Sequence, residues 1–331
     1  MAQPVLMTEI WRGDFLENTH FGHAVVCDAS GDILHAWGDP DAVVLPRSSS
    51  KMIQALPLIE SGAADKLGLT DQNLAFACAS HNGAVIHSDM ANKWLDALGL
   101  SESDLRCGSQ EPADIPARDA LIREGRSPCQ VHNNCSGKHC GFLTVSQQLG
   151  GDPEYIDPDH PVQIAVREAF EDVTGATSPG FAIDGCSAPN LAATLHGMAR
   201  AMAFFAAARE GQGIRQTAAA RLRNAMAAHP EFVAGEGRAC TNLMRAMGHT
   251  VAVKTGAEAY FVAMLPEQKL GVALKVTDGT TIAAEAAIAS ILTKLGVLDS
   301  AHPTTQRYVN APITNRRDIR CGVMKCASGF L

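Results

Sequence analysis

The segment VVLPRSSSKMIQAL, residues 43–56, is where the chain changes character. Before it, apolar and polar residues alternate with a period of two. After it, Met52, Ile53, Leu56 and Ile59 fall on one side of a helix. The joint between the two patterns is Pro46 followed by Arg47, three serines and Lys51. A serine in that position can cap a helix. Ser48 and Lys51 also read as S-x-x-K, a hydroxyl with an amine one helical turn away.

Working outward, strands are expected at residues 5–11, 21–27 and 33–37, the last two joined by a turn at Asp28-Ala29-Ser30-Gly31-Asp32. Pro57 argues against one unbroken helix after Lys51, and Gly62 ends that run. From about residue 70 to 235 the spacing is mostly helical, with helices expected at 90–98, 161–173 and 190–209. Loops there carry HNG at 81–83, NNCSGKHC at 133–140 and DGCSAPN at 184–190. Short apolar runs at 251–254, 259–265 and 271–276 return to strands, and a helix at 281–295 follows. Strands from both ends bracketing a helical middle predict an α/β (α+β) fold. It is one antiparallel sheet built from N- and C-terminal strands and covered by helices, with a mainly helical lobe. The expected single domain of residues 1–331 has its sheet lobe at about 1–47 and 250–331 and its helical lobe at about 48–249.

Composition narrows the partners. The 331 residues are 46% hydrophobic and 19% charged, as in a globular enzyme, with a formal net charge of −8. That charge, with no basic tail or stripe, speaks against nucleic acid. No apolar run has membrane length, because even 191–208 is interrupted by His196 and Arg200. MAQPVLMTEIWRGDF at the start lacks the charged and apolar regions of a signal peptide, so a cytoplasmic location is expected. Ten cysteines there would be mostly free thiols, and Cys27 and Cys78 sit in apolar runs as buried small hydrophobes would.

Two further short motifs matter. Ser80-His81-Asn82 reads as S-x-N in a turn, and Lys254-Thr255-Gly256 as K-T-G at a strand end. Each alone has a plain structural reading: an Asn-Gly turn, or an edge-strand lysine. Together, in this order, S-x-x-K, S-x-N and K-T-G are the motif set of serine β-lactamases and penicillin-binding proteins. Ser48 is then the expected nucleophile and Lys51 its base, since burial can make an amine a proton acceptor. The loop Asn133–Cys140 and the turn Asp184-Gly185-Cys186 add soft and imidazole donors. Ligand type alone would choose Cys135, His139 and Cys186 for zinc.

The stretches PRSSSKMIQALPL, ASHNG, HNNCSGKHCGFL, IDGCSAPN and VAVKTGAEAYFVAML, spread through nearly the whole chain, resemble the class 3, rhizobial-type L-asparaginases. Their fold is similar to that of serine β-lactamases and glutaminases. The resemblance implies two Ser–Lys tandems, Ser48 with Lys51 and Ser80 with Lys254. It implies a zinc ion on Cys135, Lys138 and Cys186, with lysine replacing the histidine that ligand type alone would choose. It implies substrate contacts from Arg47, Asn82, His139 and Asp184, a homodimer, and hydrolysis of L-asparagine to L-aspartate and ammonia. On this reading Arg47 grips the substrate carboxylate and Asp184 its ammonium. A Lys254 charge near Lys51 would favour the neutral base, and Ser80 would relay a proton to the departing ammonia. Rival readings are a glutaminase, a β-lactamase-like hydrolase and a zinc-dependent binding protein. Asparagine and glutamine differ by one methylene, which a pocket distinguishes by only about 1–3 kcal/mol.

Overall fold

Alternating side chains set up β1 (Val5–Arg12), β2 (Phe15–Cys27) and β3 (Ile33–Trp37). The C-terminal third supplies β4 (Ala252–Gly256), β5 (Tyr260–Leu265), β6 (Leu270–Val276), β7 (Ala311–Thr314) and β8 (Arg320–Cys326). The pairing order is β7-β8-β1-β2-β6-β5-β4, antiparallel throughout, with β3 also on β2. In register, Ile10 faces Met324 and Val26 faces Val272, so residues from opposite ends of the chain are direct neighbours. Strands β4 and β5 are buried along their whole length, which explains why they read as continuous apolar runs. The expected sheet of N- and C-terminal strands is present.

The computed structural model describes residues 2–331, and the chain divides into two units. The first takes the residues up to Ser49, Ala193–Ala207 and Asn242–Leu331. Helices Leu195–Ala207 and Thr281–Lys294 pack on its sheet. The first comes very close to β6: a Cβ at Gly271 would lie 2.0 Å from the Ala203 nitrogen and 2.2 Å from the Ala199 oxygen. Only glycine on the strand and alanine on the helix permit that approach. The second helix buries Ala286 against Ile10 and Met324, and Thr8 Oγ1 donates to the Ala283 carbonyl at 3.3 Å.

The second unit, Ser50–Ala192 with Ala208–Thr241, is largely helical. Its central helix, Ser136–Leu149, is buried from Ser136 to Ser146. A Cβ on Gly137 would meet the Phe76 carbonyl oxygen at 2.1 Å, so this helix begins hard against the Asp71–Ala77 helix. After Lys51 the chain makes two short helices, Lys51–Gln54 and Leu56–Glu60, broken where Pro57 enters.

Three local expectations change. The helix expected at 190–209 spans Leu195–Ala207, because Pro189–Leu191 pairs as a strand with Phe181–Ile183. The expected 90–98 helix starts earlier, giving Val85–Leu98. Strands β7 and β8 were not expected at all. Among the described residues, no helix is long and apolar enough to cross a membrane.

Candidate active site

The first unit holds Arg47, Ser48 and Lys254. Arg47–Ser50 is a tight 3-10 turn closed by the Ser49 N–H donating to the Pro46 carbonyl at 3.0 Å. Arg47 has φ 51°, a left-handed conformation disfavoured for a residue with a side chain, directly before the expected nucleophile. Ser49, fully buried, donates its hydroxyl to the Lys254 carbonyl at 3.2 Å. That bond ties the Ser48 turn to β4. Gly256 makes the approach possible: a Cβ there would sit 2.6 Å from the Pro46 oxygen and 2.8 Å from Ser49 Oγ. Lys254 is fully buried, and its Nζ donates to the Thr255 carbonyl at 2.8 Å. Ser50 occupies the helix N-cap without a side-chain capping bond, so capping does not account for the serine run.

The second unit holds the other expected residues. Lys51 is 1% exposed, and its Nζ donates to Ser80 Oγ at 2.9 Å, to the Asn134 carbonyl at 3.4 Å and to the Ala79 carbonyl. Lys51, paired in the sequence reading with Ser48, is thus bonded to the serine of the second motif. The Ser80–Asn82 loop is pinned by main-chain bonds, Ser80 N–H to the Val233 carbonyl and Asn82 N–H to the Ala234 carbonyl. His81 fastens it from inside. The Gly83 N–H donates to His81 Nδ1 at 3.1 Å, which puts the ring proton on Nε2, 3.0 Å from Ser136 Oγ. Burial, and then the neighbouring His87 and Lys51, hold the His81 pKa well below the usual histidine range. Its ring stacks on His87 with centroids 4.5 Å apart.

Cys135, Lys138, His139 and Cys186 come together in this unit. Lys138 Nζ lies 3.0 Å from Cys186 Sγ. A hydrogen bond from the Cys135 thiol, together with Lys138 and His139, pushes Cys186 well below the usual thiol range despite burial. Burial alone would lower the Lys138 pKa, but the sulfurs of Cys186 and Cys135 more than offset it and hold the amine charged. The Tyr155 hydroxyl accepts from the Arg106 N–H at 2.7 Å and is hydrogen-bonded to His139 Nδ1 at 2.8 Å. Burial lowers His139 to about 4. Its Nε2 is buried with no hydrogen-bond partner among the described residues, beside the Cys186 sulfur. Asp184 sits in a tight turn in which Ser187 takes φ 68° and the Ser187 N–H donates to the Asp184 carbonyl at 2.9 Å.

Among the described residues, no three His, Cys, Asp or Glu side chains gather into a metal-holding group. The trio chosen on ligand type alone, Cys135, His139 and Cys186, is therefore not a ready-made site. In the set that includes Lys138, the Lys138 amine and the Cys135 thiol each meet the Cys186 sulfur, with an orphaned imidazole nitrogen beside them. That donor chemistry suits zinc once the amine gives up its proton.

A family model described as L-asparaginase II matches residues 8–326. The chain belongs to the L-asparaginase II family. There is no match among curated proteins. Among solved structures, Mglu in its tris and glutamate form is 12% identical with a TM-score of 0.47, the alignment covering 84% of this chain and 59% of that one. This chain thus spans well under two thirds of that protein. A putative beta-lactamase from Bacteroides dorei DSM 17855 is 14% identical with a TM-score of 0.45, covering 82% and 92%.

Within this family member, sequence reading missed the supports of the site. Ser136 stood inside a quoted motif, but its link to His81 spans 55 residues and has no spacing signal. Tyr155, fully buried, lies in a polar stretch that offered no hint of its contact with His139.

Proposed function

We propose that the protein is an L-asparagine amidohydrolase using serine and lysine. The observation that carries the reading is the buried contact between Lys51 Nζ and Ser80 Oγ, a lysine held on a motif serine in a chain of the L-asparaginase II family. Ser48 attacks the side-chain amide carbon, and Lys51 takes its proton. Ser80, already bonded to Lys51, passes a proton to the departing ammonia, and water then releases L-aspartate from the acyl-enzyme. The Ser48 N–H and the N–H following Gly256 form the oxyanion hole. Arg47 binds the substrate carboxylate, Asp184 its ammonium, and Asn82 and His139 complete the grip. Zinc, held by Cys135, Lys138 and Cys186, would supply polarisation at the amino-acid end of the substrate.

The Lys51–Ser80 bond also favours a second reading, with Ser80 as nucleophile and Lys51 as its base. Ammonia release from L-asparagine, with L-glutamine in parallel, tests both. Wild-type protein should release ammonia from asparagine, Ser48→Ala should be inactive, and substantial turnover by Ser48→Ala would move the nucleophile to Ser80. No release from either substrate by folded, zinc-loaded protein would overturn the amidohydrolase.

A cytoplasmic setting is part of the proposal, supported by ten cysteines that are all free. So is a homodimer, which light scattering of the purified protein would test.

A further inference from the structure

The hairpin turn joining β4 to β5 takes a conformation that its own residues disfavour. Gly256 and Tyr260 stand opposite each other in the ladder, so Ala257, Glu258 and Ala259 close the turn. Glu258 has φ 58° and Ala259 φ 60°. Two successive left-handed residues in a hairpin are ordinarily glycine or asparagine, because a Cβ crowds the backbone there. Ala259 carries that Cβ, is fully buried, and has no polar side chain to offset the strain. Such a turn persists only where its surroundings hold it.

The hold comes from the end of β6. Lys275 Nζ donates to the Glu258 carbonyl at 2.5 Å and to the Val276 carbonyl at 2.6 Å. The next carbonyl of the turn, that of Ala259, accepts from the Val276 N–H at 3.1 Å. A Cβ on Gly279 would lie 2.8 Å from Glu258 Oε2, so the Glu258 side chain also folds back onto this strand end. Burial lowers the Lys275 pKa, while the Glu258 and Asp278 carboxylates act to keep it charged. A charged donor makes the Lys275 bond the strongest of these contacts. At its other end the turn starts from Gly256, which is pressed against the Pro46 oxygen and Ser49 Oγ. Ala257 follows. It is exposed, and its N–H meets no main-chain acceptor among the described residues. This is the N–H assigned above to the oxyanion hole.

We propose that Lys275 is a positioning residue for the reaction: its ammonium clamps the strained turn 257–259 and so aims the Ala257 N–H at the developing oxyanion. The proposal rests on the serine amidohydrolase reading above. Lys275 acts through the turn alone. An N–H placed in advance stabilises charge that appears only in the transition state, so loosening it lowers kcat and leaves KM in place.

Ammonia release and hydrogen exchange, measured on wild type, Lys275→Met and Lys275→Met/Ala259→Gly, test this. Lys275→Met should lower kcat on L-asparagine about thirtyfold with KM within about twofold, less than the roughly 10²–10³-fold cost of deleting an oxyanion donor outright. Exchange of the Val276 N–H, whose acceptor lies in the turn, should speed about tenfold. Ala259→Gly removes the strain, so the double variant should regain most of the lost kcat and protection. A lysine that merely supported the sheet would not be rescued in this way. Unchanged Val276 exchange in Lys275→Met would overturn the clamp. Faster exchange with unchanged kcat, a rise in KM in place of the fall in kcat, or a loss that Ala259→Gly does not recover would overturn its link to catalysis. No ammonia from the wild type would overturn the amidohydrolase reading and that link with it, whereas the exchange result decides the clamp whether or not the protein turns over.

Discussion

The two units hold their site residues by different means. In the first, close backbone approach does most of the positioning: Gly256 leaves room for the Pro46 oxygen and Arg47 takes a left-handed turn, with one side-chain bond from the Ser49 hydroxyl to the Lys254 carbonyl. In the second, main-chain bonds pin the Ser80–Asn82 loop and a network of side chains is built on it. Lys51 reaches three acceptors, His81 ties a loop to Ser136, Tyr155 orients His139, and Lys138 meets Cys186. Backbone positioning is fixed by sterics and tolerates polar changes nearby. A side-chain network fails when one partner is removed, because the others are left buried and unpaired.

The sharpest break of this contrast is Lys51→Met, which keeps the volume and removes the charge. Its kcat on asparagine should fall by roughly 10⁴-fold, as for a base acting as part of a unit, while circular dichroism stays native. Residual activity within tenfold of wild type would remove Lys51 from the chemistry.

Acid should act on the second unit first. His81 and His87 are neutral in the folded protein because burial lowers both, so the unfolded chain takes up protons first as pH falls below about 6.5. Each pH unit below that removes about 1.4 kcal/mol per such ring until its folded pKa is reached. Their stabilisation is complete above pH 6.5 and lost on the way down. Hydrogen exchange at pH 7 and 5 should show protection falling in the Ser136–Leu149 helix before β5; equal loss in both would refute the assignment to these rings.

Gly256→Ala tests the first unit. The added methyl meets the Pro46 oxygen and Ser49 Oγ, which should cost up to about 3 kcal/mol and lower Tm in a thermal scan. An unchanged Tm would mean the turn and β4 separate easily. The smallest effect is expected from Ser136→Ala, which strands the His81 Nε2–H at about 1 kcal/mol in urea unfolding.

Much of this was legible in the sequence. Strands β1, β3 and β6 announced themselves through periodicity, and the three short motifs through order and spacing. β7 and β8 did not, because Asn315-Arg316-Arg317-Asp318 joins them and β8 is mostly half-exposed, so no apolar face marks the register. Likewise Asn190 and Leu191 began an alanine-rich helical pattern in the sequence but lie in the strand Pro189–Leu191, which pairs with Phe181–Ile183, a tertiary partner that local spacing cannot reveal. The motif residues were visible as chemistry. Which lysine bonds which serine depends on chain segments that meet only on folding.

The sheet order carries a consequence for synthesis. Val26 on β2 waits for Val272, and the ribosome must add about 240 more residues, some ten seconds to a minute of translation, before that partner exists. Until then the flank of β2 that later takes β6 is an open strand edge, available for pairing with anything nearby.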